Sequence, residues 1–122
     1  MLNWIAIAAI NLAIAVAVGA FGAHGLKSIV SPQQLEWWHT GTLYLFIHAL
    51  GLLLVGLLIR LNYATATTAW LLQIGIMIFA GSLFAMTLGA PRWFGAITPI
   101  GGVLMIAGWL WLALSSARLT NS

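Results

Sequence analysis

Four long apolar runs, separated by short polar segments, dominate the chain. A helix needs about 20 apolar residues to cross a bilayer core of roughly 30 Å, and each run comes close to that length. The runs lack the strict alternation of apolar and polar positions that is typical of membrane barrel strands. They predict four transmembrane helices, which span approximately Leu2–Gly22, Gly41–Ile59, Ala69–Leu88 and Ile97–Leu114.

The segments between the predicted spans are short, and short connections make consecutive helices antiparallel neighbours. The four spans use most of the 122 residues. We therefore expect residues 1–122 to form a single integral membrane domain. The predicted fold class is all-α, a four-transmembrane-helix antiparallel bundle.

The second helix is expected to begin well before its apolar span. Ser31, Pro32 and Gln34 form a helix-start pattern, because the serine can cap, the proline suits the first helical position and the glutamine completes a capping box. The helix is therefore predicted to start near residue 32. Its first turn or two, which carry Glu36, are expected to lie at the membrane interface.

Composition supports the membrane assignment. The chain is 63% hydrophobic and only 4% charged, and its mean hydropathy is +1.10, whereas soluble domains are about 25% charged. These values exclude a soluble globular domain and a disordered chain. The net charge of +3 does not indicate nucleic-acid binding, because the basic residues are scattered rather than clustered. The chain has no cysteine, which excludes disulfides and thiolate chemistry.

Aromatic residues lie near the ends of the spans, as amphipathic rings do at the headgroup level. The four-pass arrangement predicts Trp4, Tyr63, Trp70, Trp109 and Trp111 at one membrane face, and Trp37, Trp38, Trp93 and Phe94 at the other. Four spans place both termini on one side. That side carries two arginines and the terminal amine, against Lys27 and Arg92 on the other side, so the positive-inside rule favours cytoplasmic termini.

The most suggestive polar pattern lies in the second span. Trp37, Gly41, Tyr44 and His48 recur at spacings of four and three, so they share one helix face. An ionisable group at the depth of His48 is expensive and should face the bundle interior. One hypothesis is a proton relay, a ligand contact or a metal site; the alternative is a neutral imidazole hydrogen-bonded between helices. We favour the alternative, because no span contains Asp or Glu.

The segment from Gly19 to Gly25 has glycine at every third position. This spacing does not match a phosphate loop, and it leaves one helix face bare so that a neighbouring helix can approach closely. Gly22 is therefore interpreted as a packing residue. His24 is predicted to lie near the interface, where the first helix leaves the membrane.

No metal site, cofactor or catalytic constellation is predicted. His24, His39 and His48 do not have the spacing of a recognised metal site. Ser82 and His48 can face each other, but no carboxylate is present to orient them for nucleophilic catalysis. The intramembrane polar residues are instead expected to hydrogen-bond between helices; they are Asn11, Gln73, Ser82 and Thr98.

Several segments together resemble a known family. They are GAFGAHGL at 19–26, W-x-x-T-G-x-x-Y-x-x-x-H at 37–48, FAGSL at 79–83 and T-P-x-G-G…A-G-W at 98–109. In this order the chain resembles the small four-helix membrane family of unknown function that includes YgdD- and YwdK-like bacterial proteins and transmembrane-protein-256-like eukaryotic ones. The resemblance implies a four-pass protein of the bacterial inner membrane, with no established activity or cofactor.

The family pattern falls on specific positions of this chain. The residues that match it are Gly19, Phe21, Gly22, His24, Thr40, Gly41, Tyr44, His48, Gly81, Ser82, Thr98, Pro99, Gly101 and Gly102. One position departs from it, since the residue after the motif tyrosine is commonly Gln in the family and is Leu45 here. If that Gln belongs to a polar site, part of the site is missing in this chain.

Three functions remain open at this point. The leading hypothesis is a non-enzymatic accessory subunit or homo-oligomeric scaffold, whose partners are the lipid bilayer and other membrane proteins or a second copy. The alternative is a small transporter or channel that uses the polar His48 and Tyr44 face of the second helix. An enzyme acting on lipid is third, because no catalytic constellation supports it.

Overall fold

The computed structural model describes residues 2–120, apart from the side chains of residue 23 and residues 118–120. These residues form four α-helices and one short 3₁₀ helix, with no strand among them. The α-helices are α1 (Trp4–His24), α2 (Pro32–Arg60), α3 (Ala66–Thr87) and α4 (Thr98–Thr120), and the 3₁₀ helix spans Arg92–Ala96. Each α-helix belongs to a segment that is long and apolar enough to cross a membrane. The predicted all-α fold class of four membrane-spanning helices is confirmed.

Local sequence explains where the first two helices begin. Asn3 caps α1, since its Oδ1 accepts a hydrogen bond from the Ala6 amide at 3.1 Å. At the start of α2, the Gln34 amide donates to Ser31 Oγ at 3.1 Å and the Ser31 amide donates to Gln34 Oε1 at 2.8 Å. The capping box is therefore formed, and it starts α2 well ahead of the apolar span.

Consecutive helices run antiparallel, as contacts at their ends show. Gly22, near the end of α1, lies against Trp38, near the start of α2, whereas Gly56, near the end of α2, lies against Trp4. Helices α2 and α3 are antiparallel as well. The hydroxyl of Thr87, at the end of α3, donates to the carbonyl of Gln34, near the start of α2, at 3.0 Å. Short loops thus give the up-down order that they favour.

Helices α2 and α3 form the centre of the bundle, with α1 and α4 on opposite sides of them. Helix α1 reaches α3 through Asn11, whose Nδ2 donates to Gln73 Oε1 at 2.7 Å. Helix α4 reaches α3 through Gly101, which lies against Gly75 and Phe79 on another face of α3. Asn11 and Gln73 therefore form a hydrogen bond between helices, as predicted.

Two tryptophans predicted for the membrane faces have rings that pack inside the bundle. Trp38 is only 4% exposed, and its indole lies against Gly22 of α1. The ring of Trp109 lies against Gly51 near the middle of α2. In both cases a glycine on the facing helix leaves space for the indole, so the ring packs against that helix.

Candidate functional site: an aromatic cluster around His48

His48 lies at the middle of α2. It is twelve residues from Glu36 and twelve from Arg60, the two charged residues of this helix. At a rise of 1.5 Å per residue, each charge is about 18 Å away along the helix axis. Because the charged ends of a spanning helix belong at the interfaces, His48 lies near the centre of the hydrocarbon layer.

The imidazole of His48 uses only one of its two nitrogens within the described residues. Its Nδ1 lies 3.0 Å from the carbonyl oxygen of Tyr44, one turn earlier on α2. A carbonyl oxygen can only accept, so Nδ1 carries the proton and donates it. In the neutral ring Nε2 is then an acceptor, and it has no hydrogen-bond partner among the side chains and backbone that the structure describes. The site therefore presents one free lone pair at mid-membrane depth.

Two aromatic rings contact this imidazole, and a third ring contacts one of the two. With His48 these three residues form the aromatic cluster: Tyr44, Trp109 and Phe79. The Tyr44 ring is stacked on the imidazole at 5.9 Å between centroids and 9° between planes. Tyr44 also contacts Phe79 of α3 at 4.6 Å, and the imidazole contacts Trp109 of α4 at 5.8 Å. The cluster thus joins α2, α3 and α4 through side chains.

Glycine positions one wall of the aromatic cluster. A Cβ atom on Gly51 would lie 2.6 Å from the Trp109 ring, so glycine at this position lets the indole lie beside His48. Gly102 of α4 is less crowded, since a Cβ there would lie 3.9 Å from the Phe79 ring. A side chain larger than that of glycine would therefore fit at position 102, beside the Phe79 ring.

The cluster is open on the side of Tyr44. This tyrosine is 39% exposed, whereas His48 is 7% exposed. The Tyr44 hydroxyl, like His48 Nε2, has no hydrogen-bond partner in the part of the chain that the structure describes. The arrangement offers a donor hydroxyl on Tyr44 and an acceptor nitrogen on His48. The two residues are one helical turn apart on α2.

Chemically, this arrangement is suited to hydrogen bonding. Within the described residues there is no group of three His, Cys, Asp or Glu side chains that could hold a metal ion. The chain has one acidic residue, Glu36, and it lies about 18 Å along α2 from His48. No carboxylate of the spans is available to exchange protons with the imidazole or to orient it.

Ser82 belongs to a different site from His48, so the facing considered from the sequence does not occur. The Ser82 hydroxyl donates to the Phe79 carbonyl at 3.0 Å and is also paired with the Thr98 hydroxyl. Either hydroxyl of this pair can be the donor, since the Thr98 hydroxyl also lies 3.5 Å from the Phe94 carbonyl oxygen. This pair links α3 to the first turn of α4, where Pro99 is exposed.

Gly22 and His24 are also remote from the aromatic cluster. Gly22 lies against the indole of Trp38, whose Nε1 donates to the Val18 carbonyl at 2.7 Å. His24 is exposed at the end of α1. The motif residues therefore divide into a helix-packing group, an α3–α4 hydroxyl pair and the His48 cluster.

The sequence pattern did not identify Phe79 and Trp109 as members of the aromatic cluster, or Gly51 as the residue that makes room for Trp109. Phe79 and Trp109 stand at the edges of two segments that carry the family resemblance, FAGSL and A-G-W. Membership in these segments is the one sequence signal for the two residues. The local pattern does not indicate which residue of α2 each ring contacts. Leu45, the departure from the family pattern, lies in the apolar core.

Fold and site together define a class of protein: a small four-helix membrane protein with a histidine buried in an aromatic cluster. Residues 18–102 match the family described as Protein of unknown function (DUF423). The chain belongs to this family.

Curated relatives cover nearly the whole chain. A UPF0382 membrane protein of Staphylococcus epidermidis is 44% identical over 97% of this chain and 98% of its own length. Another, from Staphylococcus saprophyticus, is 43% identical over 95% and 98%. The UPF0382 membrane protein YwdK of Bacillus subtilis is 42% identical over 94% and 96%. The resemblance to the YwdK-like family is confirmed, and no solved structure matches.

Proposed function

We propose that this protein is a non-enzymatic accessory component of the bacterial inner membrane that packs against another transmembrane helix through the aromatic cluster. The observation that carries the proposal is the pair of polar atoms without partners, His48 Nε2 and the Tyr44 hydroxyl. In hydrocarbon, such atoms cost free energy until a neighbour supplies hydrogen bonds. A polar side chain on a partner helix would donate to Nε2 and accept from the tyrosine.

The second candidate, a transporter or channel, has less support from the geometry. Five grooves on the described surface are lined by residues other than Tyr44 and His48. The amide pair of Asn11 and Gln73 is bonded to itself across α1 and α3. A packed histidine beside an exposed tyrosine favours a docking surface over a path for a solute.

Photo-crosslinking in native membranes tests the proposal. Ile47 precedes His48 and is 51% exposed, and Ile14 of α1, which is 48% exposed, is the matched control. Each is replaced in turn by p-benzoylphenylalanine. We expect a discrete protein adduct from position 47 and none from position 14, because only the first position borders the polar atoms. The adduct mass distinguishes a second 13.1 kDa copy from a different protein.

Equal adducts from both positions would show nonspecific crowding and would contradict the proposal. The absence of any protein adduct at position 47 in the native membrane would contradict it as well. If the protein instead moves a solute in proteoliposomes and His48→Ala abolishes that flux, the transporter hypothesis replaces the accessory one.

Both termini are proposed to face the cytoplasm. The loop between α2 and α3 would then lie inside the cell, and the loop between α1 and α2 outside. Since the chain has no cysteine, Ser28→Cys and Tyr63→Cys each introduce a unique thiol at an exposed loop position. An impermeant maleimide is expected to label position 28 on intact spheroplasts and position 63 only after permeabilisation. The reverse pattern would invert the topology.

A further inference from the structure

A polar groove lies at the end of the bundle where α2 begins and α3 ends. It has a volume of about 260 Å³. Its walls come from the first turns of α2, including Gln33 and Trp37, and from the segment after α3, including Gly89 and Arg92. This end of the bundle lies beyond the apolar spans, so the groove belongs to the headgroup layer of the membrane.

Arg92 is held at this groove by two contacts with α2. One guanidinium nitrogen donates to Gln33 Oε1 at 3.0 Å. The guanidinium carbon lies 5.8 Å from the centroid of the Trp37 ring, within the range of a cation–π contact. Arg92 is exposed, and a guanidinium has five N–H groups. Several donors therefore remain available to an anion.

The other residues that line the groove add hydrogen-bond donors and no negative charge. Ser31 Oγ accepts from the Gln34 amide, which leaves its own hydroxyl proton free to donate. Both ends of the Gln34 side chain are occupied, by the Ser31 amide and by the Thr87 carbonyl. No Asp or Glu lines the groove. The site thus presents a positioned cation and hydrogen-bond donors.

We infer that this groove, called here the Arg92 groove, binds the phosphate of an anionic phospholipid. Basic pockets between helices at the membrane surface recognise such headgroups, and guanidinium pairs with phosphate through parallel hydrogen bonds. A lipid is the source because apolar surface adjoins the groove. Leu88 and Trp93, the neighbours of its lining residues, are each 64% exposed and provide a place for acyl chains. This inference is independent of the helix-docking proposal.

Native mass spectrometry of the purified full chain, titrated with phosphatidylglycerol or phosphatidylcholine, tests the Arg92 groove. Arg92→Gln is expected to lower the retention of phosphatidylglycerol about five-fold, the factor that corresponds to ~1 kcal/mol, a typical net contribution of one hydrogen bond. Retention of phosphatidylcholine, whose phosphate charge is offset by its own choline, should change less. Gln33→Leu removes the bond that positions the guanidinium, and it is expected to weaken phosphatidylglycerol retention in the same direction.

Lys27→Gln is the matched control, because it removes one positive charge from an exposed position at the same end of the bundle. It should leave phosphatidylglycerol retention within two-fold of the wild type. An equal loss in Lys27→Gln, or no loss in Arg92→Gln, would overturn the inference. Displacement of the lipid by millimolar inorganic phosphate would overturn the choice of a lipid, and would indicate a site for soluble anions.

Discussion

Gly101→Ala is expected to lower the free energy of unfolding by about 2–3 kcal/mol, as overpacking does. A Cβ atom at this position would lie 2.5 Å from the backbone nitrogen of Phe79 and 2.7 Å from the carbonyl oxygen of Gly75. Backbone atoms of a packed helix cannot rotate away as a side chain can. Helices α3 and α4 would therefore have to separate. The measurement is the free energy of unfolding in mixed detergent–SDS micelles.

The adjacent glycine provides the control for this prediction. At Gly102 a Cβ atom would meet only the Phe79 ring, at 3.9 Å, which is ordinary van der Waals contact. Alanine is the better helix former by up to ~1 kcal/mol, so Gly102→Ala should be neutral or stabilising. Equal destabilisation by both substitutions would show that the described contact between α3 and α4 is wrong.

Trp38→Ala is expected to have the largest effect of the substitutions considered, a loss of about 3–5 kcal/mol in the free energy of unfolding. The indole is 4% exposed, contacts the Phe84 ring at 4.5 Å between centroids, and donates a hydrogen bond to the Val18 carbonyl. Removing it opens a cavity where α1, α2 and α3 meet. Thermal unfolding in detergent, followed by near-ultraviolet circular dichroism, measures the loss.

Trp93→Ala makes the same chemical change at a position that is 64% exposed. Its ring contacts Phe94, and we expect a change within about 0.5 kcal/mol, as at most surface positions. If Trp38→Ala were as mild as Trp93→Ala, the Trp38 ring would be exposed rather than packed between helices. The pair therefore separates the two interpretations of this tryptophan.

The helices could be predicted because the relevant signals are local. The apolar runs need only be counted against the thickness of a bilayer, and the capping box of Ser31 and Gln34 lies within four residues. Fold class and the start of α2 follow from such patterns. The position of His48 on an inward-turned part of α2 follows from helical periodicity.

The contacts between helices could not be predicted in the same way. Gly101 and Gly102 are indistinguishable in the sequence, yet only the first lies against the backbone of α3. Which of them does so depends on the rotation and register of α4 against α3. The packing of Trp109 could not be predicted either. Its partner, Gly51, lies on another helix and far away in the chain, so no local pattern connects the two residues.

Asn11 and His48 illustrate two outcomes for a polar residue inside a membrane. Asn11 and Gln73 satisfy each other through their amides at 2.7 and 3.5 Å, so this pair holds α1 to α3. His48 satisfies one nitrogen on its own helix and leaves the other free. The sequence favours an interhelical bond for His48, whereas the bond that forms is to the Tyr44 carbonyl of the same helix, α2. That difference is why the aromatic cluster, rather than the amide pair, is proposed as the docking site.

The central claim is that the free polar atoms of His48 and Tyr44 hold a partner helix. The most direct measurement is the yield of the crosslink from position 47 when His48→Leu and Tyr44→Phe are introduced together. Two hydrogen bonds of ~0.7 kcal/mol each correspond to about a ten-fold lower yield. Thr42→Val, which removes a hydroxyl bonded within α2, should leave the yield unchanged. An undiminished crosslink in the double variant would contradict the account.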